Sequence, residues 1–243
     1  MVEEKSFFTH GSHWIRADFH LHTRRDREFK DPGAEQDFVA CYVTALKSAD
    51  IRVGVITNHN KFDREEFKAL RKAAKKENIY LMPGVELSVK DGRNGIHTLV
   101  VFHEEWIDNR ENADHINSFL GLTFASQTNY DNSNARSNHD LLETIRELNK
   151  FEKDYLLIFA HVEMDNGLLG GLNGGRIMEL GRNELFRFHT LAFQKVRTHE
   201  LRQKVQGWLG GWYPAEVEGS DPKSMDDIGH GEQTLIKIVS RGK

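Results

Sequence analysis

The sequence predicts an α/β chain organised around a parallel sheet or barrel, and three observations predict it. VGVITNHN (53–60) and DYLLIFAHV (154–162) are nearly all-apolar, β-rich runs that end in polar residues. Such runs suit strands buried on both faces of a parallel sheet. Amphipathic stretches of helical spacing lie between runs of this kind, REEFKALRKAAKKEN (64–78) most clearly. Strand and helix signals alternate along the chain, with no internal repeat, low-complexity segment or dividing linker. A chain of 243 residues fits one such domain, spanning 1–243.

The elements follow in order. WIRADFHLHT (14–23) is the first strand. RRDREFKDPGA (24–34) is a charged loop closed by Pro32 and Gly33. Residues 37–50 carry Phe38, Tyr42, Ala45, Leu46 and Ala49 at helical spacing, and VGVITNHN is the second strand. The helix over 64–78 has acids early and lysines late, as the macrodipole favours. IYLMPGVELSV (79–89) and HTLVVF (97–102) are strands split by the loop KDGRNG. Helices are expected near 113–122 and 138–150, the second with Asn138 and Asp140 as cap candidates. The polar stretch between them, 126–138, reads as a mobile loop. After DYLLIFAHV, the glycine-rich 164–182 reads as an irregular loop. LAFQKV, a helix over LRQKVQGWLG, AEVEGSD and TLIKIV complete the alternation.

Composition excludes several classes. The net charge of −4 rules out a globally basic protein, so nucleic acid would have to meet a local basic patch. Cys41 is the single cysteine, so no disulfide can form within one chain. No run approaches the ~18 apolar residues of a membrane span. The N-terminal MVEEKSFF is acidic and lacks the apolar core of a signal peptide, so the expectation is a cytoplasmic protein away from membranes. Nothing in the composition bears on self-association.

Thirteen histidines is a high count, and their placement is informative. In RADFHLHT (16–23), Asp18, His20 and His22 alternate with Phe19 and Leu21. In a strand this puts the three polar side chains on one face and the two apolar ones on the other. An exposed polar strand face would give the same alternation. The pattern repeats, however. In a barrel of parallel strands the chemistry sits at the C-terminal strand ends. The second strand ends in Asn58 and His59, the third carries Glu86 after Pro83–Gly84, and the fourth is entered at His97. The fifth ends in His161 and Glu163, and a late one in Asp221. Such repetition points to a metal centre. Imidazoles with carboxylates suit Zn²⁺, Mn²⁺ or Fe²⁺ better than an all-oxygen Ca²⁺ or Mg²⁺ site.

The ordered set HxH, ITNHN (56–60), PGVE (83–86), His97, AH (160–161) and GSD (219–221) resembles the PHP family, named for polymerase and histidinol phosphatase. The resemblance covers roughly residues 14–229. It implies a distorted seven-stranded (β/α) barrel, an α/β fold, and a metal-dependent phosphoesterase with two or three clustered ions. It implies that His20, His22, Glu86 and Asp221 hold one metal. Glu86, bridging, with His97 and His161 would hold a second. The family's third metal uses the equivalent of His59 and a histidine two residues after the GSD aspartate. Here the motif reads GSDPKS, so Lys223 stands at that place; Asn58 replaces an aspartate, and no histidine follows closely after His22. An ammonium at 223 would supply a fixed positive charge where a cation otherwise sits. The implied reaction is in-line attack of an activated water on phosphorus. His59 or Lys223 would stabilise or protonate the leaving oxygen, and Asp18 would orient an imidazole through its free N–H.

The basic residues suggest the substrate. Arg24, Arg25, Arg27 and Lys30 follow the HxH strand. Lys195 and Arg197 come just after LAFQ, in a region with Arg176, Arg182, Arg187, Arg202 and Lys204. With Lys223 they could form a positive rim suited to nucleic acid, on which Trp208, Trp212 and Tyr213 could stack. The same residues also read as solvated charges and packing aromatics. GSDPKSMDDIG with HTLAFQKVRTHE is similar to the PHP version found ahead of an SMC- or AAA-like ATPase in bacterial proteins linked to DNA repair or phage defence. That implies an ATPase domain or subunit as partner. Three readings follow: a nuclease module, a phosphomonoesterase of the histidinol-phosphatase kind, or a catalytically weakened scaffold. A basic rim around an open site favours the first, a closed one-phosphate pocket the second, and splayed ligands the third.

Overall fold

The computed structural model describes residues 12–30, 37–231 and 234–239. The turn expected at Pro32 and Gly33 and the N-terminal MVEEKSFF lie outside them. In chain order the elements are β1 (Ser12–Leu21), α1 (Phe38–Ser48), β2 (Ile51–Ile56), α2 (Arg64–Lys76), β3 (Tyr80–Val89) and β4 (Ile96–Phe102). Then come α3 (His115–Thr123), α4 (Leu141–Asn149), β5 (Tyr155–Phe159), α5 (Leu168–Gly171), α6 (Gly174–Arg182) and α7 (Glu184–His189). β6 (Thr190–Gln194), α8 (His199–Trp208), β7 (Ala215–Val217) and β8 (Thr234–Val239) follow. The eight strands form one sheet in the order β7-β6-β5-β4-β3-β2-β1-β8, curled into a nearly closed barrel with flanking helices.

Local chemistry explains the helices. Asp63 caps α2 by accepting the Glu66 N–H, and Phe67, Leu70 and Ala74 bury its apolar stripe. Asp140 and Glu143 form a reciprocal capping box on α4. Asn138 does not cap it; its amide donates to the Ala125 carbonyl instead.

Strand direction is where the fold departs from simple alternation. β1, β2 and β3 run parallel, but β4 is antiparallel to both β3 and β5. The six-residue link Lys90–Gly95 is too short for a parallel crossover, which needs a dozen residues or more. Gly92 and Gly95 make the reversal at φ +65° and +83°. The start of β4, His97, therefore lies at the same barrel end as the C-terminal ends of the parallel strands. β8 adds an eighth strand, antiparallel to β1.

Two cores result. Ala17, Phe19, Val53, Val55, Leu99, Val101, Ile158, Ala160, Ala192 and Val217 fill the barrel. A larger cluster, with Leu21, Val85, Leu87, Val100, Phe102 and Phe159, packs the outer face of the sheet with residues of the helices. Phe19 and Leu21 thus fall in different cores, against the alternation expected for RADFHLHT. The β1–β2 register is irregular between Asp18 and Leu21, and such a shift re-aims the side chains around it.

Two expectations about loops are corrected. Within 164–182 lie α5 and α6. Asn173 caps α6, and Ile177, Leu180 and Gly181 bury its inner face, so tertiary packing overrides the glycine content. Gly181 has the Leu209 backbone where a side chain would stand. The stretch 126–138, expected to be mobile, is fastened. Asn60 Nδ2 donates to the Tyr130 and Asn132 carbonyls at 3.1 and 2.8 Å, and Tyr130 stacks on Phe124. Among the described residues no helix is long and apolar enough to cross a membrane.

Candidate metal centre

The strand ends converge on Glu86, which β3 carries fully buried into the barrel. Glu86 lies opposite Leu99 in the β3–β4 ladder, so it tops the apolar barrel filling. Its Oε2 lies 2.8 Å from His20 Nε2, 3.1 Å from His59 Nε2 and 3.3 Å from His22 Nε2. Its Oε1 lies 2.7 Å from His97 Nδ1 and 3.3 Å from His161 Nε2. Asp221, after β7, places Oδ1 2.9 Å from His22 Nε2 and 3.6 Å from His20 Nε2. Every residue of the expected ligand set is therefore in one cluster.

The donor set fits divalent metal. Three groups have ligand atoms within 4.8 Å of one another: His20, His22, Glu86 and Asp221; His22, Asp26 and His59; and His59, Glu86 and His97. Outer oxygens fix the imidazoles. His20 Nδ1 faces Gln194 Oε1 at 3.4 Å, His59 Nδ1 faces Asp26 Oδ2 at 2.8 Å, and His97 Nε2 faces the Ser133 carbonyl at 3.3 Å. Each oxygen can take the N–H on that side, which leaves the nitrogen facing Glu86 as a lone-pair donor. His22 Nδ1 lies 3.2 Å from Asp26 Oδ2 but outside hydrogen-bond geometry, and His161 Nδ1 is likewise buried without a hydrogen bond.

The electrostatics are those of tightly coupled opposite charges. Burial alone would raise the Glu86 carboxyl, but the surrounding imidazoles, His20 and His59 first, hold it well below its usual range. Burial also opposes ionisation of Asp26 and Asp221. The His22 imidazole 3.2 Å from Asp26 with the hydrogen bond from His59, and the charges of His20 and His22 beside Asp221, lower both carboxyls. In the other direction, burial disfavours charge on His20 and His22, and the facing carboxylates more than offset it, so both imidazoles are raised. Protons and divalent ions compete for such a site.

The remaining predicted residues have definite places. Asp18 does not orient an imidazole. Its carboxylate accepts from Ser220 Oγ at 2.6 Å, from the Ser220 N–H and from the His20 N–H. Lys223 Nζ lies 2.8 Å from both Asp221 Oδ1 and Glu28 Oε2, a fixed charge beside Asp221 at the edge of the centre. Asn58 stands outside the cluster, exchanging hydrogen bonds with Thr23. Arg24 and Arg25 pair with Glu66, Arg25 also with Asp63. Arg27 pairs with Asp131, Arg176 with Asp91, Asp140 and Glu179, and Arg202 with Glu216. Trp208, Trp212 and Tyr213 pack against the outer core.

Four residues that the sequence reading left without a role now have one: Asp26, Glu28, Gln194 and Ser220. Asp26 and Glu28 sit in the charged loop after HxH, where no periodicity marks them. Gln194 ends β6, and its Oε1 also accepts the His161 N–H at 2.7 Å.

Among the described residues, the centre opens on one side. The His20, His22, His59, His97 and Glu86 side chains are at most 4% exposed, while those of Asp221 and His161 are 31% and 21% exposed. Both line a half-open cleft of about 900 Å³ with Met164, Gln194, Lys195, Arg197 and His230 on its walls.

No protein-family model matches the sequence, and no curated protein does. Solved structures share the fold. A protein from Bifidobacterium adolescentis, provisionally assigned as a metal-dependent phosphoesterase, is 10% identical, with a TM-score of 0.58 over 85% of this chain and 87% of that one. An amidohydrolase from Chromobacterium violaceum, solved with bound sulfate and no metal, is 14% identical, with a TM-score of 0.52 over 89% and 90%. PsfC from Pseudomonas syringae is 13% identical, with a TM-score of 0.50 over 90% and 80%. At these identities the likeness is one of fold.

Proposed function

We propose that this protein is a metal-dependent phosphoester hydrolase, and that its substrate is a phosphodiester of nucleic acid. The observation that carries the reading is the convergence of five imidazoles on the single buried carboxylate of Glu86. His20, His22, Glu86 and Asp221 would hold one divalent ion, and Glu86 with His97 and His161 a second. The ion would be Zn²⁺, Mn²⁺ or Fe²⁺. Bound there, such ions lower the pKa of water and neutralise charge on a phosphoryl group.

The chain's own residues supply the rest. The phosphoryl group enters where Asp221 and His161 open to the cleft. Lys195 and Arg197, on the cleft wall, bind the flanking part of the substrate. Lys223 is held cationic by Asp221 and Glu28 against the cost of its burial, so it stabilises negative charge on the departing oxygen. His59 is the alternative donor to that oxygen. The scaffold reading loses ground because the ligands converge instead of splaying. The phosphomonoesterase reading keeps one specific support, since Glu66, Asp63 and Asp131 neutralise much of the expected basic rim. An ATPase domain or subunit as partner and a cytoplasmic setting remain part of the proposal, supported by the sequence resemblance.

The test is elemental analysis of protein purified without chelator, with cleavage of labelled DNA, RNA and a phosphomonoester in added Mn²⁺ or Zn²⁺. Bound metal and polynucleotide cleavage abolished by His20→Ala support the reading. Phosphomonoester turnover alone moves it to a phosphatase, and no metal with no turnover overturns it.

A further inference from the structure

The two ends of the sheet, β7 and β8, share no ladder among the described residues. The segment 218–221 joins them. The Glu218 backbone exchanges hydrogen bonds with Thr234 Oγ1 on β8. Gly219 lies flush on β1, where a side chain would collide with His20 Cβ. The Asp221 N–H donates to the His20 carbonyl at 2.9 Å.

Asp18 is the side chain at the centre of this seam. It is 4% exposed, and its carboxylate accepts from both the backbone and the hydroxyl of Ser220. The next residue, Asp221, has φ +45°, in the left-handed region. A non-glycine residue stays there only when its surroundings over-determine it.

We infer that Asp18 is a positioning residue: by gripping Ser220 it holds the strained Asp221 backbone so that the Asp221 carboxylate meets His20 and His22. The inference rests on the reading of Asp221 as a ligand of the proposed metal centre. A carboxylate one bond-length out of place loses its share of a site whose ligand atoms must be set to within a fraction of an ångström. Barrel closure and ligand placement are then one device.

The test compares Asp18→Asn, Ser220→Ala and Ser220→Thr with a control, Leu148→Ala, in the fully buried face of α4. Amide hydrogen exchange is read on metal-free protein, and Co²⁺ affinity and visible spectrum by competition with a chelator. Asp18→Asn and Ser220→Ala should speed exchange at positions 220 and 221 while leaving β3 protected. They should weaken Co²⁺ binding about 10–100-fold with an altered spectrum. Ser220→Thr keeps the hydroxyl and should restore both. Leu148→Ala should lower the melting temperature yet leave Co²⁺ affinity and spectrum unchanged. Wild-type affinity and spectrum in both clamp variants overturn the inference. If the wild type itself binds no Co²⁺, the metal reading fails, and unchanged exchange at 220 and 221 then sinks the clamp as well. Should Asp18→Asn fail to fold, Ser220→Ala decides.

Discussion

Stripping the centre of metal should make the protein less stable as pH rises through neutrality. His20 and His22 are raised in the folded protein because carboxylates face them in a buried site. In the unfolded chain an imidazole titrates near 6.5. A group raised on folding contributes stability that is fully present below its unfolded value and lost as pH climbs through its folded value. Two such histidines give a slope of at most about −2.7 kcal/mol per pH unit, reached between their unfolded and folded values. With a urea m-value of about 3 kcal/mol/M, the unfolding midpoint should fall by up to roughly 1 M per pH unit there. Asp26, Glu86 and Asp221 do not oppose this. Their folded values are lowered, so their contribution is present above the unfolded carboxylate value near 4 and is lost only as pH falls. Asp18, raised by burial, acts in the same direction as the histidines.

Metal should invert the trend. Ligating imidazoles must be neutral, so affinity grows with pH and the gap between loaded and stripped protein widens. The assay is urea unfolding between about pH 6 and 8, in EDTA and in saturating Mn²⁺, with His20→Asn expected to halve the stripped slope. A stripped midpoint that is flat or rises over that range would show that these imidazoles do not hold extra protons, and the electrostatic account of the centre would be wrong.

Glu86→Gln keeps the volume but removes the charge shared by two ligand groups. Metal content should fall below one ion per chain by elemental analysis, and hydrolysis should become undetectable. Lys223→Met should cut turnover about 10²–10³-fold with little change in KM, the loss being largest for substrates with poor leaving groups. Lys223→His supplies an imidazole beside Asp221 and Glu28 and removes a fixed charge, so elemental analysis should find additional bound metal relative to the wild type. Gln194→Ala frees the His20 ring and the His161 backbone and should weaken metal binding about 10–100-fold by chelator competition. Phe102→Ala, in the outer core against Trp106 and Phe119, should cost about 3–5 kcal/mol by urea unfolding and leave metal stoichiometry intact.

The residues of the cluster were legible because each is tied to a strand end, and strand ends announce themselves by a change from apolar to polar residues. His20, His59, His161 and Asp221 all sit at such changes. His97 was legible as the residue entering a strand, but its reason was not. Only the antiparallel turn of β4 brings a strand start to the side of strand ends, and the brevity of 90–95 was the signal for that turn. The face of Phe19 was misjudged because an irregular register leaves no mark on a pattern of alternating residue types. α6 was hidden by its glycines, though Ile177 and Leu180 stand at helical spacing. Asp26 and Glu28 lie in a loop, where position is set by hydrogen bonds from distant residues and no period reports it. Gln194 and Ser220 act through contacts 33 and 202 residues away in sequence.

The placement of Lys223 gives the departures in sequence a common physical sense. Asp26 faces His22 and His59, while Asp221 faces His20 and His22 and shares Lys223 with Glu28. Left uncompensated, neighbouring carboxylates repel and take up protons. Lys223 spans Asp221 and Glu28 with 2.8 Å contacts to each, and His22 and His59 divide Asp26 between them. The ammonium thus does the charge neutralisation that an ion would do there, without needing to be loaded from solution. An ammonium cannot polarise water as a divalent ion does, so Lys223 supplies a positive field there and no Lewis acid. On the proposed phosphoester-hydrolase reading, water activation would fall to ions held around Glu86, and Lys223 would meet the charge of the departing group.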